Sequence, residues 1–198
     1  YDAGGQLAGA EALVRWQHPE KGMIPPGEFI PLLEYSNLIT RVDQYVWEHT
    51  CRRLQRWNAE GLYLPASVNV SRMDLQNGDL PEQFTALVEK YGLEPDQLRL
   101  EITESAYTDR PEQLAAMVAR LRAAGFTVEM DDFGTGYSSL NMLKDIRIDV
   151  LKLDMKFLSG GEEARGRQIV QSIVDMAHRL DMCVIAEGVE TAQQAREL

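Results

Sequence analysis

Two periodicities alternate along the chain. Short aliphatic or β-branched runs repeat with period 2, and the longer stretches between them carry apolar residues at helical spacing. The pattern predicts strands over residues 7–14, 66–71, 98–103, 126–131, 150–154 and 183–187. It predicts helices over residues 28–35, 41–59, 81–91, 111–124, 138–144 and 163–180. Punctuation agrees with this. Thr40 precedes the apolar series Val42, Val46, Cys51, Leu54 and Trp57, and Gly61 follows it. Asp109, Pro111 and Glu112 open a helix that Gly125 stops. Strand and helix alternating without a linker describe one parallel α/β domain.

The strands have two unlike faces. Val68 and Val70 oppose Asn69; Leu98, Leu100 and Ile102 oppose Arg99 and Glu101. Val128 and Met130 oppose Thr127, Glu129 and Asp131; Leu151 and Leu153 oppose Val150, Lys152 and Asp154; Val184 and Ala186 oppose Glu187. The apolar face suits packed helices. The other face gathers Asn, Glu, Asp, Lys and Glu near the C-terminal ends of five strands. Solvent does not explain this, because both faces of a parallel sheet are normally covered. A barrel whose strand ends converge on one polar site does. Lys152 between two leucines strengthens the point, since a lysine inside a buried strand requires partners.

Composition narrows the class. The 198 residues include 44% hydrophobic and 26% charged, the balance of a folded globular domain rather than a disordered one. The longest uncharged stretches, residues 61–71 and 133–143, fall far short of the roughly 20 apolar residues of a membrane helix. Only Cys51 and Cys183 are present, which suits a reducing, cytoplasmic setting (alone or as the cytoplasmic part of a larger protein) and two small buried apolar side chains. Trp47 and Trp57 suit packing, and His18 looks incidental. Three scattered histidines argue against a histidine zinc site. The formal charge of −11 leaves no basic stripe for duplex nucleic acid.

Glu11, Asn69, Glu101, Asp131, Asp132 and Glu187 form a candidate set of hard oxygen ligands without sulfur or imidazole. Such a set suits Mg²⁺ or Mn²⁺. Five carboxylates exceed the need of one ion and suit two, a device recurrent in phosphodiester hydrolysis. Adjacent Asp131 and Asp132 can both face a site only where strand alternation breaks, and Gly134 and Gly136 permit such a turn.

At this point the order of motifs resembles the EAL-domain family of cyclic-di-GMP phosphodiesterases. Glu11-Ala12-Leu13-Val14-Arg15 stands where the family has its naming motif. It is followed in order by Asn69-Val70-Ser71, Glu101-Ile102-Thr103-Glu104, the segment Asp131-Asp132-Phe133-Gly134-Thr135-Gly136-Tyr137, then Leu151-Lys152-Leu153-Asp154 and Glu187-Gly188-Val189-Glu190. The resemblance implies a TIM-like (β/α)8 barrel, here lacking the family's first, antiparallel strand and its last one. It implies that Glu11, Asn69, Glu101 and Asp131 hold a first metal ion, that Asp131 bridges to a second held by Asp132, and that Glu187 completes or orients that ion. Lys152 and Glu187 would act on the nucleophilic water, Arg15 on a phosphate. Glu104 would support the loop containing Gly134, Gly136 and Tyr137, which the family couples to a homodimer interface. The implied activity is hydrolysis of cyclic di-GMP to linear 5′-pGpG, and the resemblance also implies a longer parent chain in which sensory or diguanylate-cyclase-like domains are joined to this one. Two alternatives stand beside it: a module of the same family that binds cyclic di-GMP or a protein without cleavage, and an unrelated Mg²⁺-dependent barrel enzyme.

Overall fold

The computed structural model describes residues 1–2, 4–107, 110–133, 139–154 and 163–189. Six parallel strands form one sheet in the order β1 (Ala10–Ala12), β4 (Ala66–Asn69), β5 (Leu98–Thr103), β6 (Val128–Asp131), β7 (Val150–Asp154) and β8 (Cys183–Glu187). Between β1 and β4 lie a small antiparallel hairpin, β2 (Trp16–His18) and β3 (Gly22–Ile24), and helices α1 (Pro26–Tyr35) and α2 (Ile39–Ala59). The later crossovers are α3 (Leu80–Tyr91), α4 (Pro111–Ala123), α5 (Ser139–Asp145) and α6 (Glu163–Arg179).

The sheet is strongly curled. Four strand spacings separate β1 from β7, about 19 Å if the sheet were flat. Yet Lys152 Nζ on β7 stands 3.5 Å from Glu11 Oε2 on β1. Such curvature is what a barrel requires. The outward face of the strands packs under the helices: Val68, Leu98, Leu100, Ile102, Val128, Met130 and Leu151 are fully buried with Leu54, Phe84 and Leu121 from the helices.

Local chemistry explains the boundaries. Pro111 occupies the first turn of α4, where its missing N–H costs nothing, and Gly125 at φ +93° ends the helix. Asp109, expected to open it, lies outside the described residues. Strand β1 is shorter than the predicted 7–14, because only Ala10–Ala12 pair with β4. The hairpin was not foreseen: three-residue strands are too short to show a period. His18, expected to be incidental, stabilises its turn, its Nδ1 accepting from the amides of Glu20 (3.1 Å) and Lys21 (3.2 Å).

Two further expectations are corrected. Of the apolar series predicted for α2, Cys51 and Leu54 are buried, whereas Val42, Val46 and Trp57 are only half-buried, and Ile39, Asp43, Trp47 and Thr50 complete the buried stripe. Cys51 is buried, and burial pushes its thiol up to about 12. Cys183 instead is exposed, at the start of the edge strand β8.

Candidate active site

The polar strand face forms two layers inside the curl. The lower layer is a buried network: Glu129 receives Ser67 Oγ at 2.8 Å through one oxygen and Arg99 Nη1 at 3.3 Å through the other. Glu129 has no exposed surface, so this pairing compensates its desolvation. Sequence alternation had placed Arg99 and Glu129 on the inner face without a role. Their signal was period 2: Ser67/Asn69, Arg99/Glu101 and Glu129/Asp131 are successive rungs of the same face.

The upper layer centres on Lys152, which is 3% exposed. Its ammonium lies 2.7 Å from Glu187 Oε1, 2.8 Å from Glu101 Oε1, 3.5 Å from Glu11 Oε2 and 3.7 Å from Asp131 Oδ1. The sheet therefore brings together carboxylates from β1, β5, β6 and β8 around a lysine from β7. Burial alone would lower the lysine's proton affinity, but its hydrogen bonds to Glu101 and Glu187 outweigh that and raise it. One ammonium cannot balance four carboxylates. The deficit appears on the acids: burial, followed by Glu11 and Glu129, pushes Glu101 up to about 8 against the pull of Lys152. Burial raises Glu187 in the same way.

The remaining predicted residues are placed around this centre. Asn69 ends β4 opposite Glu101 in register, with an exposed side chain. Asp132 carries the break in alternation itself, at φ +56°, and its amide donates to Asp131 Oδ1 at 2.9 Å. A left-handed aspartate is uncommon but tolerated, because its short polar side chain bonds locally. Burial and the neighbouring Asp131 and Asp154 raise its proton affinity. Glu104 is buried in the short 3₁₀ turn Glu104–Tyr107 after β5 and acts electrostatically on Asp132. Gly134, Gly136 and Tyr137 lie outside the described residues. Arg15 is exposed beyond β1, and its Nη1 donates to the Val14 carbonyl at 2.9 Å rather than joining the lysine cluster.

Among the described residues, no three acidic, imidazole or thiol groups converge at ion-binding spacing. The carboxylates turn towards Lys152 instead. Their chemistry nonetheless fits hard divalent cations. The donors are all oxygen, the cluster is short of positive charge, and Glu101 Oε2 is buried with no hydrogen-bond partner among the described residues.

A curled parallel sheet with an acidic, lysine-centred cluster at the C-terminal strand ends defines an α/β-barrel-type domain. The chain belongs to the EAL domain family, whose model matches residues 2–198. It is 35% identical over 190 residues to the cyclic di-GMP phosphodiesterase PA2567 of Pseudomonas aeruginosa, covering 94% of this chain and 32% of that protein. It is likewise 35% identical over 192 residues to the oxygen sensor protein DosP of Escherichia coli, covering 96% of this chain and 24% of that protein. The chain thus spans about a quarter to a third of the length of such curated relatives. Its fold matches the PaMucR phosphodiesterase in complex with c-di-GMP at a TM-score of 0.89 and 34% identity, over 99% of this chain and 80% of that one. Among the described residues, no helix is long and apolar enough to cross a membrane.

Proposed function

We propose that this chain is the catalytic domain of a cyclic-di-GMP phosphodiesterase that hydrolyses one phosphodiester to give linear 5′-pGpG. The observation that carries the reading is the buried Lys152 ammonium held by carboxylates from four other strands, with negative charge in excess. Glu11, Asn69, Glu101 and Asp131 would hold one Mg²⁺ or Mn²⁺, with Asp131 shared and Asp132 and Glu187 serving a second. When bound, such ions supply charge neutralisation and a more acidic water.

The residues themselves do the rest. Lys152 Nζ stays protonated and stabilises negative charge developing on the attacking water and the phosphoryl oxygens. Glu187, 2.7 Å from it and raised in proton affinity, takes the proton of that water. The water oxygen bonds to phosphorus as the bond to the 3′ oxygen breaks, leaving the phosphate on the 5′ side. Arg15, exposed at the mouth beside β1, binds a phosphate. A homodimer and fused sensory or diguanylate-cyclase-like domains belong to the same proposal, in line with relatives three to four times this length.

A second reading, binding without turnover, is favoured by one observation: among the described residues no group of three acids, imidazoles or thiols stands at ion-binding spacing. The test incubates the intact parent protein with cyclic di-GMP and Mg²⁺ or Mn²⁺. Metal-dependent pGpG formation, lost in Glu11→Ala while the fold survives, supports hydrolysis. Tight binding with no product under either metal supports the second reading.

A further inference from the structure

The end of β4 is held by a device outside the lysine cluster. The backbone carbonyl of Asn69 accepts the indole N–H of Trp47 at 2.9 Å. Trp47 is 3% exposed and packs on Phe84 with ring centres 4.4 Å apart. One turn earlier on the same helix, buried Asp43 hydrogen-bonds the carboxyl of Asp74. Asp74, 2% exposed, accepts through Oδ2 from both the amide and the hydroxyl of Ser71. Between these anchors, the Val70 amide donates to the Glu101 carbonyl at 2.9 Å. Three consecutive residues, 69 to 71, are thereby fixed by named partners.

Two carboxyls in hydrogen-bond contact must share a proton. Ser71 already gives Asp74 Oδ2 two donors, so Asp74 is the accepting member of the pair. Asp43 is the neutral one, because its Oδ2 has no partner among the described residues, which a buried carboxylate could ill sustain. Burial first, then Asp74, pushes Asp43 up to about 8. Apolar side chains would fill the same space without the cost of desolvating two acids. The acid pair adds direction: it fixes the turn that leaves β4 relative to α2.

We infer that Asp43 and Trp47 are positioning residues, which act through Asp74, Ser71 and the β4 backbone to aim the Asn69 side chain into the metal-binding layer. The inference rests on the proposed function in that Asn69 is taken as a metal ligand. Mispositioning a partner behind a ligand typically costs 10- to 100-fold in metal affinity.

The experiment measures Mn²⁺ affinity of the intact protein by calorimetry in the absence of substrate, with thermal unfolding alongside. Asp43→Leu keeps the branched shape in a larger, apolar side chain and loses the donor to Asp74; Mn²⁺ binding should weaken about 10-fold or more. Trp47→Phe keeps an aromatic ring but loses the N–H together with the pyrrole half of the indole; the expected loss is about 2- to 12-fold or more, the effect of one hydrogen bond plus the lost packing. Asp43→Asn, whose amide can still donate to Asp74, should restore affinity to within about 3-fold of the parent, less than one hydrogen bond's full effect. Parental Mn²⁺ affinity in folded Trp47→Phe and Asp43→Leu overturns the inference. So does an Asp43→Asn protein as weak as Asp43→Leu. A parent that binds no Mn²⁺ overturns the metal reading of the site itself, and is recognised before any substitution is made.

Discussion

Replacing Lys152 with Met removes the ammonium and leaves a side chain of similar length. Three carboxyls besides Glu101 then face one another: Glu187, Glu11 and Asp131, with 32%, 30% and 18% of their side chains exposed. Burial already pushes Glu101 up to about 8, towards holding a proton. Loss of the cation obliges another acid to take one, and Glu187 is nearest to the vacated charge at 2.7 Å. Protonating a glutamate of ordinary pKa 4.5 at pH 7 costs about 3.4 kcal/mol at most, at 1.36 kcal/mol per unit. Partial hydration of Glu187 reduces this to about 2–3 kcal/mol. For a chain of this length that is a fall in Tm of about 5–10 °C at pH 7. By the same arithmetic the difference from the parent shrinks below about 1 kcal/mol at pH 5, because the acids protonate more readily there. Thermal unfolding of both proteins at the two pH values, without metal, checks this. Adding Mn²⁺ at about 100 times its Kd should return about 2.7 kcal/mol to the variant. An equal loss at pH 5 and pH 7 would place the effect in packing rather than charge, and no loss would refute the ion network.

Metal binding at pH 7 should release protons, since Glu101 is raised to about 8 and must ionise to serve as a ligand. Calorimetry in buffers of different ionisation enthalpy reads this, and a buffer-independent heat would contradict it. Asp43, raised in the fold from 3.8 to about 8, binds more protons folded than unfolded across that window. Its contribution to stability is therefore greatest below about pH 4 and declines as pH rises to about 8. Asp43→Asn should flatten that slope and gain about 1 kcal/mol or more at pH 8, the worth of one pKa unit, read by denaturant unfolding. Phe84→Ala, at a fully buried position between Trp47 and Phe126, should cost about 3–5 kcal/mol in the same assay without altering the pH slope.

The site was more legible in the sequence than the scaffold around it, and for a physical reason. In β5 a strict alternation runs the full length of the ladder, and β7 and β8 are short, largely apolar runs that each end in an acid, so residues 98–103, 150–154 and 183–187 agree with the observed strands at both ends. Alternation also put Asn69, Glu101, Asp131, Lys152 and Glu187 on one face. The curl that joins β1 to β7 is not a local property, so the contact of Glu11 with Lys152 could be expected only from the need to cover polar strand faces. Hydropathy misses part of the α2 stripe because it includes Asp43 and Thr50, whose burial depends on hydrogen-bond partners: Asp74 for the acid and, one turn earlier on α2 itself, the Val46 carbonyl for the hydroxyl. The glycines expected to permit the turn after β6, Gly134 and Gly136, lie outside the described residues, and Asp132 itself takes the left-handed conformation. The hairpin of β2 and β3 rests on a histidine accepting two turn amides, a signal no hydrophobic pattern carries.

The curl also sets when the site can exist. Lys152 touches acids that enter the chain at Glu11, Glu101, Asp131 and Glu187, and each arrives on a different strand. No hairpin, single crossover or other local unit contains more than a fragment of the cluster. The closure entropy of nearly the whole chain must be met before the first and last of these acids share one ammonium. A partly folded chain therefore offers a cation only scattered carboxylates, and if the proposed ions bind here, their capture would be a late event that follows completion of the sheet. In kinetic terms the cluster is a checkpoint: it reports that every strand has taken its place.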